Sequence, residues 1–201
     1  MKNSFAINSN KELVHISEVS NNNTENFYCF NCSERLIAKK GNIKIHHFSH
    51  KSKITCSFES YLHKLSKLKF YILYSKALSE GKPFYIEYFT NKSCNSCVNI
   101  YNINCSLNNE ISKYNLTKIF DIVTIEKGIN GFIADVLLES TKNDKKLLIE
   151  FVVNNQCSEE KINSGLKIVE IYVNNENDLK HFEQNQIQIN HLDLKYYNFK
   201  I

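Results

Sequence analysis

The sequence predicts an α/β (α+β) fold, a mixed sheet flanked by helices, preceded by a small N-terminal module that needs a staple. Two patterns carry that reading. Over 57–80 apolar residues recur at roughly helical spacing (Leu62, Leu65, Leu68, Tyr71, Ile72, Ala77), whereas 119–126, 132–139, 146–153 and 166–173 are short apolar runs bounded by turn residues. A third observation sets the scale: 201 residues, 42% of them hydrophobic, fill one ordinary domain or one domain with an appendage. A multidomain machine and wholesale disorder are both excluded.

In chain order, 4–20 reads as a hairpin, with Phe5-Ala6-Ile7 and Leu13-Val14-His15-Ile16 separated by a polar turn. After a polar linker at 21–26, the segment from Tyr28 to Cys56 has too little apolar content to hold itself together by burial. Ser57 then serves as the N-cap of the long helix, and Gly81 with Pro83 stops it. The run 84–89 is strand-like, and 91–105 is an irregular insertion with three cysteines. Strands at 119–126 and 132–139 join through Gly128 and Gly131, and a third follows the polar turn 140–145. A short helix capped by Ser158 leads through Gly165 to the strand at 166–173, and an aromatic tail follows. The implied domains are 1–56, 57–175 and a C-terminal tail, 176–201, packed on the core.

Twenty-four Lys and 28 Asn against a single Arg point to AT-rich coding rather than to function. The charge is nevertheless uneven: the stretch from Cys32 to Pro83 carries +8 in a chain whose net charge is +4. A basic segment on an otherwise acidic remainder suits a polyanion, although a solvated lysine face reads the same way. No run of about 20 apolar residues suggests a membrane span, and 1–10 has no signal-peptide core, so a cytoplasmic location is expected.

In such a compartment seven cysteines stay reduced, and their spacing argues for metal. Cys29-x-x-Cys32 followed by His47-x-x-His50 is a Cys₂His₂ set suited to tetrahedral zinc, with Cys56 as an alternative ligand. Cys94-x-x-Cys97, with Cys105, is a candidate second zinc site without an evident fourth ligand. Cys157 stands just before a helix N-terminus, and no histidine base is placed beside it. There is no glycine-rich phosphate cradle and no serine elbow, so no nucleotide cofactor is expected.

Asp135 and Glu150 are single carboxylates inside otherwise apolar strands, where an unpaired anion costs several kcal/mol. They are nearly symmetric about the turn near residue 143, so a hairpin sets them opposite one another, and a shared divalent cation is the economical compensation. On the helix, Glu59, His63 and Lys67 form one polar stripe at four-residue spacing.

Taken in order, Cys29-x-x-Cys32, Gly41, His47-Phe48-Ser49-His50, Glu59-Ser60-x-x-His63-x-x-x-Lys67, Ala134-Asp135-Val136 and Ile149-Glu150 resemble the competence protein CoiA-like nucleases. The resemblance implies a zinc-binding module followed by a restriction-endonuclease-like PD-(D/E)xK domain acting on DNA. It implies Glu59, Asp135 and Glu150 as the catalytic acids, with Mg²⁺ or Mn²⁺ on Asp135 and Glu150, and His63 and Lys67 toward nucleic acid. Two residues after the glutamate, where that pattern has a lysine or glutamine, this chain has Val152. Lys161, on the following helix, is the candidate substitute, and Lys67 a second. The alternative is a decayed nuclease fold acting as a zinc-containing nucleic-acid- or protein-binding module.

Overall fold

The computed structural model describes residues 3–22, 24–52, 56–91 and 109–199. Cys94, Cys97 and Cys105 lie outside the described residues. The chain divides into two compact units, Met1–Ser66 and Lys67–Ile201.

In the first unit, β1 (Phe5–Ile7) and β2 (Leu13–His15) form the expected hairpin, with Ala6 opposite Val14. β3 (Phe27–Tyr28), β4 (Arg35–Lys39) and β5 (His47–His50) extend it into one antiparallel sheet of order β2-β1-β3-β4-β5. The cysteine-bearing segment does not therefore stand without a core, as its composition suggests. Leu36 and Phe48 from it pack with Phe27 just before it and with Ala6, Ile16 and Val19 from the hairpin side.

The long helix α1 (Phe58–Ser79) runs from the first unit into the second, the boundary falling after Ser66. Its start is fixed by the Ser57 hydroxyl, which accepts the Ser60 N–H at 3.0 Å. Its end is a glycine C-cap: Gly81 has φ +63°, and the Lys82 N–H turns back to the Ala77 carbonyl at 2.8 Å.

The second unit holds two sheets. β6 (Tyr85–Asn91) lies between β7 (Asn109–Asn115) and β12 (Gln186–Ile187) in a three-stranded sheet. The central sheet has the order β13-β11-β10-β9-β8, built from β8 (Ile122–Ile129), β9 (Phe132–Glu139), β10 (Lys146–Val152), β11 (Ile168–Tyr172) and β13 (Leu194–Tyr197). Only β10 and β11 run parallel within it, joined across the short helix α2 (Glu159–Ile162). Among the described residues the fold is thus mixed α+β with three sheets and few helices.

Two details differ from the sequence expectation. β8 begins at Ile122 rather than at Ile119, because the Ile119 and Phe120 N–H groups close back onto the Leu116 carbonyl at 3.0 and 2.8 Å. The β8–β9 turn is Asn130-Gly131, both at positive φ (50° and 83°), while Gly128 lies inside the strand. The core is aromatic: Phe70 of α1 lies 5.3 Å from Phe84, 6.0 Å from Phe151 and 6.1 Å from Phe182, ring centre to ring centre.

Candidate metal and carboxylate sites

The first unit gathers four metal-ligating side chains. Ligand atoms of Cys29, Cys32, His50 and Cys56 all lie within 4.8 Å of one another. Cys29 and Cys32 flank a tight turn in which Ser33, at φ +62°, returns its N–H to the Cys29 carbonyl at 2.7 Å. His50 arrives from the end of β5, with its Nε2 3.2 Å from the Cys32 Sγ, and the Cys56 Sγ is 3.9 Å from that of Cys29. Bonds of about 2.0–2.3 Å to a tetrahedral ion set its ligand atoms roughly 3.4–3.8 Å apart, close to these separations. Burial pushes the Cys29 thiol up to about 12, so a cation is what would hold it as thiolate. The cluster suits a metal such as zinc.

His47 is not part of it. The expected His-x-x-His pair presumes a helical or looped segment, in which residues three apart converge. Here the two histidines sit in β5, where side chains alternate, so an odd separation sends them to opposite faces. The His47 ring instead meets the Ile45 carbonyl at 2.8 Å, and Cys56 completes the set.

In the second unit the β9–β10 hairpin brings Asp135 and Glu150 together. Ile149 opposite Val136 is the last regular rung, and one step further the two carboxylates take over from the backbone ladder. The Phe151 N–H donates to Asp135 Oδ2 at 2.9 Å, and the Asp135 N–H reaches Glu150 Oε1 at 3.4 Å. Alongside, Glu126 of β8 adopts φ +51°, a conformation unusual for glutamate.

Two lysines face these acids. Lys161, on α2, donates to Glu150 Oε1 at 2.8 Å and to the Ile133 carbonyl at 2.7 Å, and both partners of the ion pair keep only 10% of their side-chain surface exposed. Its position is set by the Ser158 cap, whose hydroxyl accepts the Lys161 N–H. Lys67, expected to meet nucleic acid, is buried instead, with its ammonium 2.7 Å from Glu126 and 3.4 Å from Asp135. Burial foremost, with the Asp135 charge adding and Lys161 opposing, pushes the Glu150 carboxyl up to about 7. Val152 is buried in β10 beside Tyr172 of β11 and offers no polar group. Glu59 and His63 belong to the first unit, half-buried on the first turns of α1.

One acid went unread in the sequence. Glu170 lies directly across from Glu150 in the parallel β10–β11 pairing and is wholly buried. It accepts the Cys157 N–H at 2.7 Å, the Tyr197 hydroxyl at 3.0 Å and the Tyr172 hydroxyl at 3.1 Å. These bonds tie the loop entering α2 to the sheet. Cys157 itself is no activated thiol: burial and the charges of Glu150 and Glu170 push it up to about 12.

No helix among the described residues is long and apolar enough to cross a membrane. No curated protein and no solved structure matches the chain. A family model does: residues 9–59, which contain all four clustered Cys and His ligands, match the N-terminal domain of competence protein CoiA, and so support a CoiA-like family for this chain.

Proposed function

We propose that the chain is a metal-dependent nuclease hydrolysing DNA phosphodiester bonds, with a restriction-endonuclease-like second unit and a role in competence such as DNA uptake or recombination. The observation that carries this reading is the meeting of Asp135, Glu150 and Lys161 where the β9–β10 ladder ends. Two carboxylates on adjoining strands form a hard oxygen donor set, which fits Mg²⁺ or Mn²⁺ better than a softer metal. Such an ion polarises the scissile phosphate and lowers the pKa of an attacking water. Asp135 and Glu150 would hold it. Lys161 would substitute for the PD-(D/E)xK lysine missing at Val152, its ammonium keeping Glu150 oriented and offering positive charge to a phosphate oxygen. Glu59 remains the helix acid on the family resemblance alone.

The test is cleavage of single- and double-stranded DNA by the full-length protein with added Mg²⁺ or Mn²⁺. Wild type is expected to cut, and Asp135→Asn and Glu150→Gln to lose at least a hundredfold of the rate while remaining folded. Absence of cleavage with either metal on either substrate discards the reading. The buried valine at 152 favours one alternative, a nuclease fold that binds without cutting, which salt-sensitive DNA binding in the absence of cleavage would select.

A further inference from the structure

The outward face of the β4–β5 hairpin belongs to neither site. Along β4, Leu36 points into the core while Arg35, Ile37 and Lys39 face out. Across the ladder Lys39 pairs with His47 and Ile37 with Ser49, and the Lys51 N–H bonds the Arg35 carbonyl at 3.1 Å, so Lys51 continues the outward row. The inward side of the same two strands supplies Leu36 and Phe48 to the core and His50 to the metal cluster. One hairpin therefore has a structural face and an unassigned cationic one.

At its tip the hairpin exposes two isoleucines almost completely, Ile43 at 97% and Ile45 at 81%. Between residues 35 and 51 the chain carries five cations (Arg35, Lys39, Lys40, Lys44, Lys51) and no acid. Lys40 is occupied, its ammonium turned onto the Val19 carbonyl, and Arg35 spends one donor on Asn26 Oδ1. Two apolar side chains left in water among cations suit a partner that takes an apolar side chain between anionic groups. A nucleic acid has that chemistry, phosphates outside and base faces within, and apolar wedges flanked by cations are a recognised way of entering it. A lipid surface fits less well, since stable interfacial binding uses the continuous apolar stripe of an amphipathic helix rather than two side chains on a turn.

We infer that this hairpin is a DNA-contacting surface, in which Arg35, Lys39, Lys44 and Lys51 hold phosphates and Ile43 and Ile45 press between bases. It uses none of the residues of the carboxylate site and stands whether or not that site cleaves. All the substituted positions are exposed, so the variants should fold, and unchanged zinc content and circular dichroism check this.

The experiment is fluorescence anisotropy with a labelled DNA duplex and its single strand, using zinc-loaded full-length protein without magnesium, at about 50 to 200 mM salt. Lys39→Gln/Lys44→Gln/Lys51→Gln is expected to weaken binding more than tenfold and to flatten the log–log salt slope by about 3. Ile43→Ser/Ile45→Ser is expected to weaken it about tenfold with the slope unchanged, and to abolish the fluorescence change of 2-aminopurine placed in the DNA. Wild-type affinity in both variants overturns the inference, as does the absence of DNA binding by the wild type. Binding to phosphatidylcholine–phosphatidylserine vesicles but not to DNA overturns it too, in favour of a membrane. Binding that depends on these residues, without any cleavage, supports the inference and removes only the nuclease.

Discussion

Lys161→Met tests the carboxylate site at its most exposed assumption, that a lysine from α2 compensates a buried glutamate of β10. With the ammonium 2.8 Å away, Glu150 already titrates at about 7, against 4.5 for a free glutamate. Because its folded pKa lies above the unfolded one, the carboxyl is unpenalised below about pH 4.5 and costs stability increasingly as pH rises to 7, about 3 kcal/mol in full. Removing the lysine raises the folded pKa further and extends that loss to higher pH. At about pH 6 the variant escapes by keeping Glu150 protonated, and it forfeits chiefly the hydrogen bond to the Ile133 carbonyl and the packing of the lysine stem, about 1–2 kcal/mol. Toward about pH 9 each further unit adds about 1.4 kcal/mol until the deficit reaches the 3–5 kcal/mol typical of a broken buried ion pair. Urea denaturation of wild type and variant, without added divalent cation, measures this difference at both pH values. In a Glu150→Gln background the pH dependence of the difference should vanish. A deficit that stays constant from about pH 6 to 9 refutes the pairing.

Other expectations follow from the same contacts. Cys56→Ser and His50→Ala are each expected to lose most bound zinc, measured by elemental analysis, and to unfold the first unit, whereas His47→Ala retains both metal and fold. Tyr197→Phe removes one of two hydroxyl donors from a fully buried carboxylate, and should cost about 1–3 kcal/mol in urea denaturation. Tyr172→Phe removes the other hydroxyl donor and should cost a similar amount in the same assay.

How much of this was legible depended on whether the signal was local. The meeting of Asp135 and Glu150 could be read because a short polar turn fixes the register of its hairpin, and counting outward from residue 143 leaves little freedom. Lys161 could be named as a candidate because the family resemblance asks for a substitute at Val152, and the cap at Ser158 places that lysine on the helix following the Glu150 strand. The histidines could not, since His-x-x-His names two ligands only if the backbone is known, and a strand separates them. β7 was missed because Asn-Glu-Ile-Ser-Lys-Tyr-Asn is too polar to announce a strand, its pairing being supplied by β6. Glu126 gave no warning, because its role depends on a positive φ in mid-strand. Glu170 was within reach: Ile-Val-Glu-Ile-Tyr is the same acid-in-apolar-run pattern that singled out the other two strand acids.

The charges of the second unit explain why such a sheet tolerates so many acids. Asp135 and Glu150, the more enclosed pair, each have an ammonium within 3.4 Å, Lys67 against the first and Lys161 against the second, while the exposed Glu126 shares Lys67. Glu170 is compensated differently, by hydroxyl and amide donors, which makes it a fixed support rather than an exchangeable partner. The distinction matters chemically. A carboxylate held by tyrosines and backbone cannot turn toward a metal without loosening the loop that carries α2, whereas one whose charge is met by a lysine ammonium can have that charge met by a divalent ion instead. On the nuclease reading, Asp135 and Glu150 are the acids that would share a divalent ion, with Lys161 still orienting Glu150 and Lys67 beside Asp135.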